Sequence, residues 1–317
     1  MNRTVVTGAS GFIGTRLVRR LSQTSRVVAI DRVPPRETLA GVEYLTFDVR
    51  RDVPLQAVEG ASIIYNLAAV HRTPGHPPEE YYETNIGGAL NIAKAAEAAN
   101  VRTILFTSSI SVYGARSDRF DEGTAVAPDS HYGRSKLMAE TVHRDWSARS
   151  TGRRLIIVRP GVVFGPGEQG NYTRLIRSLR RGYFVYPGTR STIKGGGYVE
   201  ELLDTFDFAI SSDQKDVCYN FAYPAESTTQ EIVEAICTML SIRRSPPVLP
   251  ASYALLLASA ATRVGLLNPS LFDPERVKKL LQSTRVSPGW LLEQGYQFKT
   301  DLRTGLESWR KEDPRLI

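Results

Sequence analysis

Two residues four positions apart, Tyr132 and Lys136, could do acid–base chemistry together. On a helix, side chains at i and i+4 stand on one face, so His131-Tyr132-Gly133-Arg134-Ser135-Lys136 would hold an ammonium beside a phenol. A nearby cation stabilises phenolate and draws the phenol pKa down from about 10 toward neutrality, where it can exchange a proton during turnover. Tyr-x-x-x-Lys alone is a common accident of helices. Here it follows Thr107-Ser108-Ser109-Ile110-Ser111-Val112-Tyr113-Gly114, which ends a strand-like run. A serine hydroxyl at that strand end could bond the same substrate oxygen as the phenol.

A second constellation suits an anion. Gly8, Gly11 and Gly14 lie three apart in Thr7-Gly8-Ala9-Ser10-Gly11-Phe12-Ile13-Gly14, between a strand pattern and a helix pattern. Such glycines let the backbone turn tightly, approach a pyrophosphate and pack helix on strand, while the helix N-terminus offers N–H groups and positive dipole. Asp31 ends the next strand pattern, where a carboxylate accepts the ribose hydroxyls of NAD and repels the 2′-phosphate of NADP. Arg32 beside it could accept that phosphate, so NAD is expected and NADP stays an alternative.

These groups need elements to position them. Apolar β-branched runs occur at 4–7, 26–30, 42–47, 62–66, 103–107 and 155–158, and amphipathic helical stretches at 12–22, 79–99 and 130–150. Strands alternating with helices predict βαβ units, a parallel sheet covered on both faces and right-handed crossovers. The fold class expected is α/β, a Rossmann-type doubly wound sheet over 1–165, with a smaller, mainly substrate-binding α/β region over 166–317 that returns some segments to the sheet. Beyond Gly161, glycine and proline become frequent and the pattern loosens.

Composition sets outer limits. The 317 residues are 42% hydrophobic and 23% charged, an ordinary globular balance that excludes disorder and collagen-like repeats. The longest apolar stretch, within 250–265, is shorter than the roughly 20 residues a bilayer requires. It predicts a helix buried under the smaller region, with contact to a lipid-linked substrate or a membrane surface as the alternative. The first residues run straight into a strand pattern without a secretory apolar region, so a cytoplasmic protein is expected. Cys218 and Cys237 lack zinc-ligand spacing and sit in apolar runs, which predicts inert thiols and no metal. The net charge of +7 comes from scattered cations without a nucleic-acid-binding signature, so a polyanionic metabolite is the expected partner.

Together these residues resemble the extended short-chain dehydrogenase/reductases, and among them the NAD-dependent nucleotide-sugar epimerase/dehydratase group. The resemblance runs over nearly the whole chain and includes Asp48-Val49, Asn66-Leu67-Ala68-Ala69, Asn85, Arg159-Pro160-Gly161 and Tyr198-Val199-Glu200-Glu201-Leu202. It implies Tyr132 as the acid/base, Lys136 as the nicotinamide-ribose ligand that lowers the tyrosine pKa, and Ser109 as the bond to the reacting oxygen. Asp48 and Val49 would meet adenine, and Leu67, Ala68 and Ala69 would line the pyrophosphate and ribose. Pro160 and Val162 would pack at the nicotinamide, with Asn85, Thr107 and Ser108 completing the cofactor surface beside Ser10, Phe12 and Ile13. A homodimer through the 79–99 and 130–150 helices is implied as well.

Departures from the family pattern narrow the reaction. Dehydratases of the group carry Thr-Asp-Glu where this chain reads Ser109-Ile110-Ser111, so dehydration is not expected. By the same resemblance the diphosphate of a nucleotide sugar would meet Lys194, five residues before Val199, with Arg190 as a second cation. Lysine binds phosphate as a point charge where arginine gives a planar fork. Asn171 would face the diphosphate or cap its helix, and Ser111 would join Ser109 at the sugar. The leading reading is a nucleotide-sugar epimerase of the 4-epimerase type. The alternatives are a keto-sugar reductase, a hydroxysteroid- or aldehyde-type dehydrogenase, and, lower, a non-catalytic dinucleotide sensor.

Overall fold

The computed structural model describes residues 2–72, 75–243, 245–264 and 274–314. Its centre is a parallel sheet of β1 (Arg3–Thr7), β2 (Arg26–Asp31), β3 (Val42–Thr46), β4 (Ala61–Asn66), β5 (Thr103–Thr107) and β6 (Arg154–Pro160), completed by a strand from much later in the chain. Around it run α1 (Phe12–Leu21), the short α2 (Leu55–Val58), α3 (Pro78–Tyr82), α4 (Gly88–Ala98) and α5 (His131–Ala148). The smaller region follows with β7 (Val162–Phe164), α6 (Asn171–Arg180), β8 (Tyr186–Pro187), β9 (Gly196–Tyr198), α7 (Val199–Ser211), β10 (Asp216–Phe221) and α8 (Thr229–Met239). Then come β11 (Val248–Leu249), α9 (Ala251–Val264), α10 (Pro274–Leu281), α11 (Gly289–Glu293) and α12 (Leu302–Glu312).

The sheet order is β10-β6-β5-β4-β1-β2-β3, the doubly wound arrangement with β10 paired in parallel to β6 as a seventh strand. Both faces are covered, which is why the strands read as near-continuous apolar runs. On one side Val5, Ile64, Ile104 and Phe106 meet α4 and α5 through Ile92, Ala96, Ala139 and Trp146. On the other, Val6, Leu105 and Ile156 meet α1 and α7 through Leu17, Leu202 and Phe206. The expected α/β Rossmann-type fold is thus present, and α7 and β10, both from beyond residue 165, belong to its layers.

Two local features differ from the sequence pattern. The helical stretch at 79–99 is not uniform, because a π-helical turn at Glu83–Gly87 separates α3 from α4 and carries Asn85 into the interior. Such bulges interrupt the i→i−4 ladder where a side chain has another task. Second, Arg16 on α1 reaches across to Glu200 at 2.5 Å on α7 and Glu312 at 2.6 Å on α12. That clasp joins the first helix of the chain to the helix at 302–312. No described helix is long and apolar enough to cross a membrane, and both cysteines are free, Cys218 with its thiol pushed up to about 11 by burial.

Candidate active site

At the C-terminal edge of the sheet, the glycine turn fits closely against β4. Gly8 adopts φ +72°, and a Cβ there would lie 2.7 Å from the Ala68 nitrogen. A Cβ at Gly14 would lie 2.1 Å from the Gly8 carbonyl oxygen, so α1 can begin this near the turn only without a side chain. No side chain caps the amino end of α1 and no carboxylate stands in its first turn, leaving that dipole to an anion. Phe12 and Ile13 turn their side chains into the apolar cluster shared with the smaller region. Asp31 accepts from the Ser10 amide at 2.9 Å and the Val33 amide at 3.1 Å, while the Ser10 hydroxyl donates to the Val33 carbonyl. This cradle fits a dinucleotide: amides and helix dipole for its diphosphate, and a fixed carboxylate with lone pairs to spare for ribose hydroxyls.

The flanking residues are placed as follows. Arg32 stands 3.7 Å from Glu80, a partner that competes with any phosphate. Asp48 pairs with Arg50 at 2.6 Å, and that hydrogen bond holds its carboxyl below the usual range. Val49 is buried against Gly88, and its carbonyl accepts from Asn91. Leu67 and Ala68 line the glycine turn, with Ala69 next to them at the end of β4. Thr107 donates to the Asn66 carbonyl and Ser108 to Glu140, so both hydroxyls tie strands and helices together. Asn85 does the same: its amide donates to the Val70 carbonyl and the Ser135 hydroxyl, and its oxygen accepts from the Val70 amide. Pro160 ends β6, and Val162 pairs with Gly196 in β9.

Ser109 and Tyr132 come together, and Lys136 lies one turn further along α5. Ser109 ends β5 and caps a 3-10 turn at Ile110–Tyr113, its oxygen accepting from the Ser111 amide at 3.1 Å and its hydroxyl donating to Ser111 Oγ. The same hydroxyl group meets the Tyr132 phenol. Ser130 caps α5, which points Tyr132 and Lys136 along one face into this corner. Lys136 is fully buried with Nζ 4.3 Å above the Phe106 ring. Burial pushes its pKa down to about 7, opposed by the charge of Glu140.

The direction for Tyr132 is the reverse of the sequence expectation. Burial pushes the phenol up to about 12, against the lowering contact with Ser109. The expected drop gave the lysine charge the leading influence, whereas removal of the phenol from water dominates here.

Of the substrate-side candidates, Ser111 joins Ser109, and Lys194, Arg190 and Asn171 each have protein partners. Lys194 Nζ donates to the carbonyls of Lys279 at 2.9 Å and Gln282 at 2.5 Å, at the carboxyl end of α10, and burial lowers its pKa to about 8. Arg190 donates to the Pro246 carbonyl and lies over the Tyr186 ring. Asn171 is exposed and accepts from Arg174, while the amino end of α6 is filled by Glu168, which accepts from the Thr173 amide at 2.9 Å. Asn171 therefore does not cap its helix. Helix-end carbonyls and an internal carboxylate have taken the partners that a substrate phosphate would use.

Beneath the site lies a polar network that motif reading missed. Glu140, 1% exposed, accepts two bonds from Arg159 at 2.8 and 2.6 Å and one from Ser108 at 2.6 Å. Arg159 also donates to Tyr113, whose hydroxyl donates to Asn220 on β10. The available signals were Glu140 one turn beyond Lys136 on the same face, and an arginine directly after the apolar run Leu155-Ile156-Ile157-Val158.

Comparison with known proteins agrees with this geometry. The model of the NAD dependent epimerase/dehydratase family matches residues 4–222. A UDP-glucose 4-epimerase of Vibrio cholerae is 30% identical over 66% of this chain and 68% of its own length. The N-acetyl-alpha-D-glucosaminyl-diphospho-ditrans,octacis-undecaprenol 4-epimerase of Escherichia coli O157:H7 is 35% identical over 65% of this chain, a match that spans only 62% of that relative. Among solved structures, MoeE5 in complex with UDP-glucose and NAD superposes with a TM-score of 0.79 over 99% of both chains at 24% identity, which speaks for the fold. With a family match over most of its length and a dinucleotide cradle that fits, the chain belongs to the NAD-dependent epimerase/dehydratase family and is an enzyme that uses NAD.

Proposed function

We propose that this enzyme epimerises a diphosphate-linked sugar, a nucleotide sugar in the first instance, at a ring carbinol such as C4. The observation that carries the reading is Ser109 meeting Tyr132, one helical turn from buried Lys136, beside a strand end that reads Ile110-Ser111 without the acids a dehydration requires. The Vibrio and Escherichia relatives bear 4-epimerase names.

In this mechanism Ser109 holds the reacting hydroxyl and Tyr132 takes its proton as the carbinol C–H departs as hydride. The glycine turn and Asp31 would hold NAD, which would supply a reversible hydride acceptor. The resulting keto-sugar turns over in the cleft, and Tyr132 gives its proton back on the other face, so no net cofactor is consumed. Lys136 would hold the nicotinamide ribose and, when charged, favour phenolate. Because burial sets Tyr132 high, a cationic nicotinamide close by would lower its pKa into a working range. We assign the enzyme to the cytoplasm as a homodimer through α4 and α5, which pack on each other and expose Leu90 and Met138.

The test is purified protein with a panel of UDP-, GDP- and dTDP-sugars, with products resolved by chromatography and reduced cofactor followed by absorbance. A stereoisomer formed without net NADH supports the reading. Turnover that needs stoichiometric NAD(P)H would move the enzyme to the keto-sugar reductases. Tyr132→Phe should abolish conversion while retaining dinucleotide, and near-normal turnover would remove Tyr132 from its role.

A further inference from the structure

We propose that the lobe formed by β8, β11, α9 and α10 binds the surface of an anionic phospholipid bilayer. The lobe is one body. β8 pairs with β11, and a Cβ at Gly188 would lie 2.6 Å from Leu281 of α10 and 3.4 Å from Ala251 of α9. Helices α9 and α10 pack on each other, and the Arg190 bond to the Pro246 carbonyl closes the other side.

Its surface is apolar where a water-facing surface should be polar. On α9, Tyr253 and Leu256 are 60% and 64% exposed, one turn apart, whereas the small Ala254 faces inward at 8%. Leu280 of α10, Tyr183 and Val185 before β8, and Val248 of β11 are exposed on the same elements. Exposed apolar side chains scattered singly need no explanation; six on adjoining elements do.

Charge identifies the occupant. Segments 171–195, 235–264 and 274–283 hold twelve Lys and Arg and a single acid, Glu275. The rest of the chain therefore keeps 28 of the 40 cations and 32 of the 33 acids, and its balance is negative although the protein is at +7. The excess is carried by α6, whose exposed Arg177 and Arg181 lead into Tyr183, and by α10, with exposed Lys278 and Lys279. Exposed cations and exposed tyrosine and leucine on neighbouring stretches of the chain match the interfacial region of a bilayer, with headgroup phosphates for the charges and the acyl boundary for the side chains. A nucleic acid would satisfy the charge and leave Leu256 and Leu280 in water. No described helix spans a membrane, so the lobe would lie on the surface. The inference is independent of the sugar assigned above, and it places the Lys194 end of the substrate region next to lipid.

The experiment is sedimentation of the full chain with vesicles of phosphatidylcholine alone and with about one third phosphatidylglycerol, at low and physiological salt. Binding to the anionic vesicles alone, weakening with salt, is expected. Arg177→Glu with Arg181→Glu should weaken it about tenfold or more, since each cation near such a surface contributes about one decade or slightly less. Tyr253→Ser with Leu256→Ser should also weaken it severalfold, and circular dichroism should stay unchanged because all four residues are exposed. Absence of binding overturns the proposal. Binding that ignores the Tyr253/Leu256 change, or a preference for single-stranded polynucleotide over vesicles, overturns it as well.

Discussion

Removing the charge of Glu140 tests the site from below. In Glu140→Gln the side chain keeps its shape and an acceptor, but the Arg159 guanidinium, 5% exposed, loses its only carboxylate at bonding distance among the described residues. Breaking a buried pair from one side costs about 3–5 kcal/mol, because a charge is left dry and uncompensated. At roughly 2 °C per kcal/mol for a chain of this size, the melting temperature should fall by about 6–10 °C. The chemistry should move too. Glu140 opposes the loss of charge on Lys136, so without it the lysine pKa drops further below about 7, phenolate is less favoured, and the acid limb of the pH–rate profile moves up by about one unit. Tyr113, His143 and His71 also border this region, and the half-exposed Arg144 loses its 3.8 Å ion pair with Glu140 as well. The assay is a pH–rate profile beside a thermal melt, with Glu140→Leu/Arg159→Met as partner variant. That double change should recover much of the stability, since it strands no charge, yet keep the displaced pH profile. A melt within about 2 °C of wild type and an unmoved profile would refute the reasoning.

Three further outcomes follow from the same structure. Gly8→Ala meets a positive φ and β4 backbone at 2.7 Å, so it should cost about 2 kcal/mol or more and weaken dinucleotide binding measured by calorimetry. His143 is fully buried, and burial lowers its pKa to about 3. Its neutral form is the folded one, the unfolded chain protonates near 6.5, and stability should fall as pH drops from about 6.5 toward 3. Urea midpoints between pH 7 and 5 should show that slope, and His143→Gln should flatten it. Finally, Leu90→Glu with Met138→Glu should turn the proposed dimer into a monomer by light scattering, with the fold retained because both side chains are exposed.

What the sequence conveyed well was local. The glycine turn, Asp31 and the Tyr132/Lys136 pair depend on short spacings that backbone geometry converts directly into neighbours, and six strands announced themselves as apolar runs. What it conveyed poorly was long-range and polar. Glu140, Arg159, Tyr113 and Asn220 lie in four separate segments, and each alone reads as an ordinary polar residue. Nothing in the chain neighbourhood of Lys194 reveals that residues 279–282 return to it. The Tyr132 shift went the other way because spacing shows that two groups are close and says nothing of how dry both become. The π turn at 83–87 was hidden because its cause, the Asn85 side chain, bonds to Val70 and Ser135 far off in sequence.

The Arg16 clasp bears on how the protein is made. The helix that opens the dinucleotide cradle is secured by a residue 296 positions later, and the sheet beneath it lacks its edge strand until β10 is synthesised. A ribosome that has released the glycine turn must still add nearly three hundred residues before Glu312 can reach Arg16. Once α7 has been made, and until α12 follows, α1 is held through Glu200 alone of these two carboxylates. Full fastening of the cofactor site therefore waits until α12 has been made.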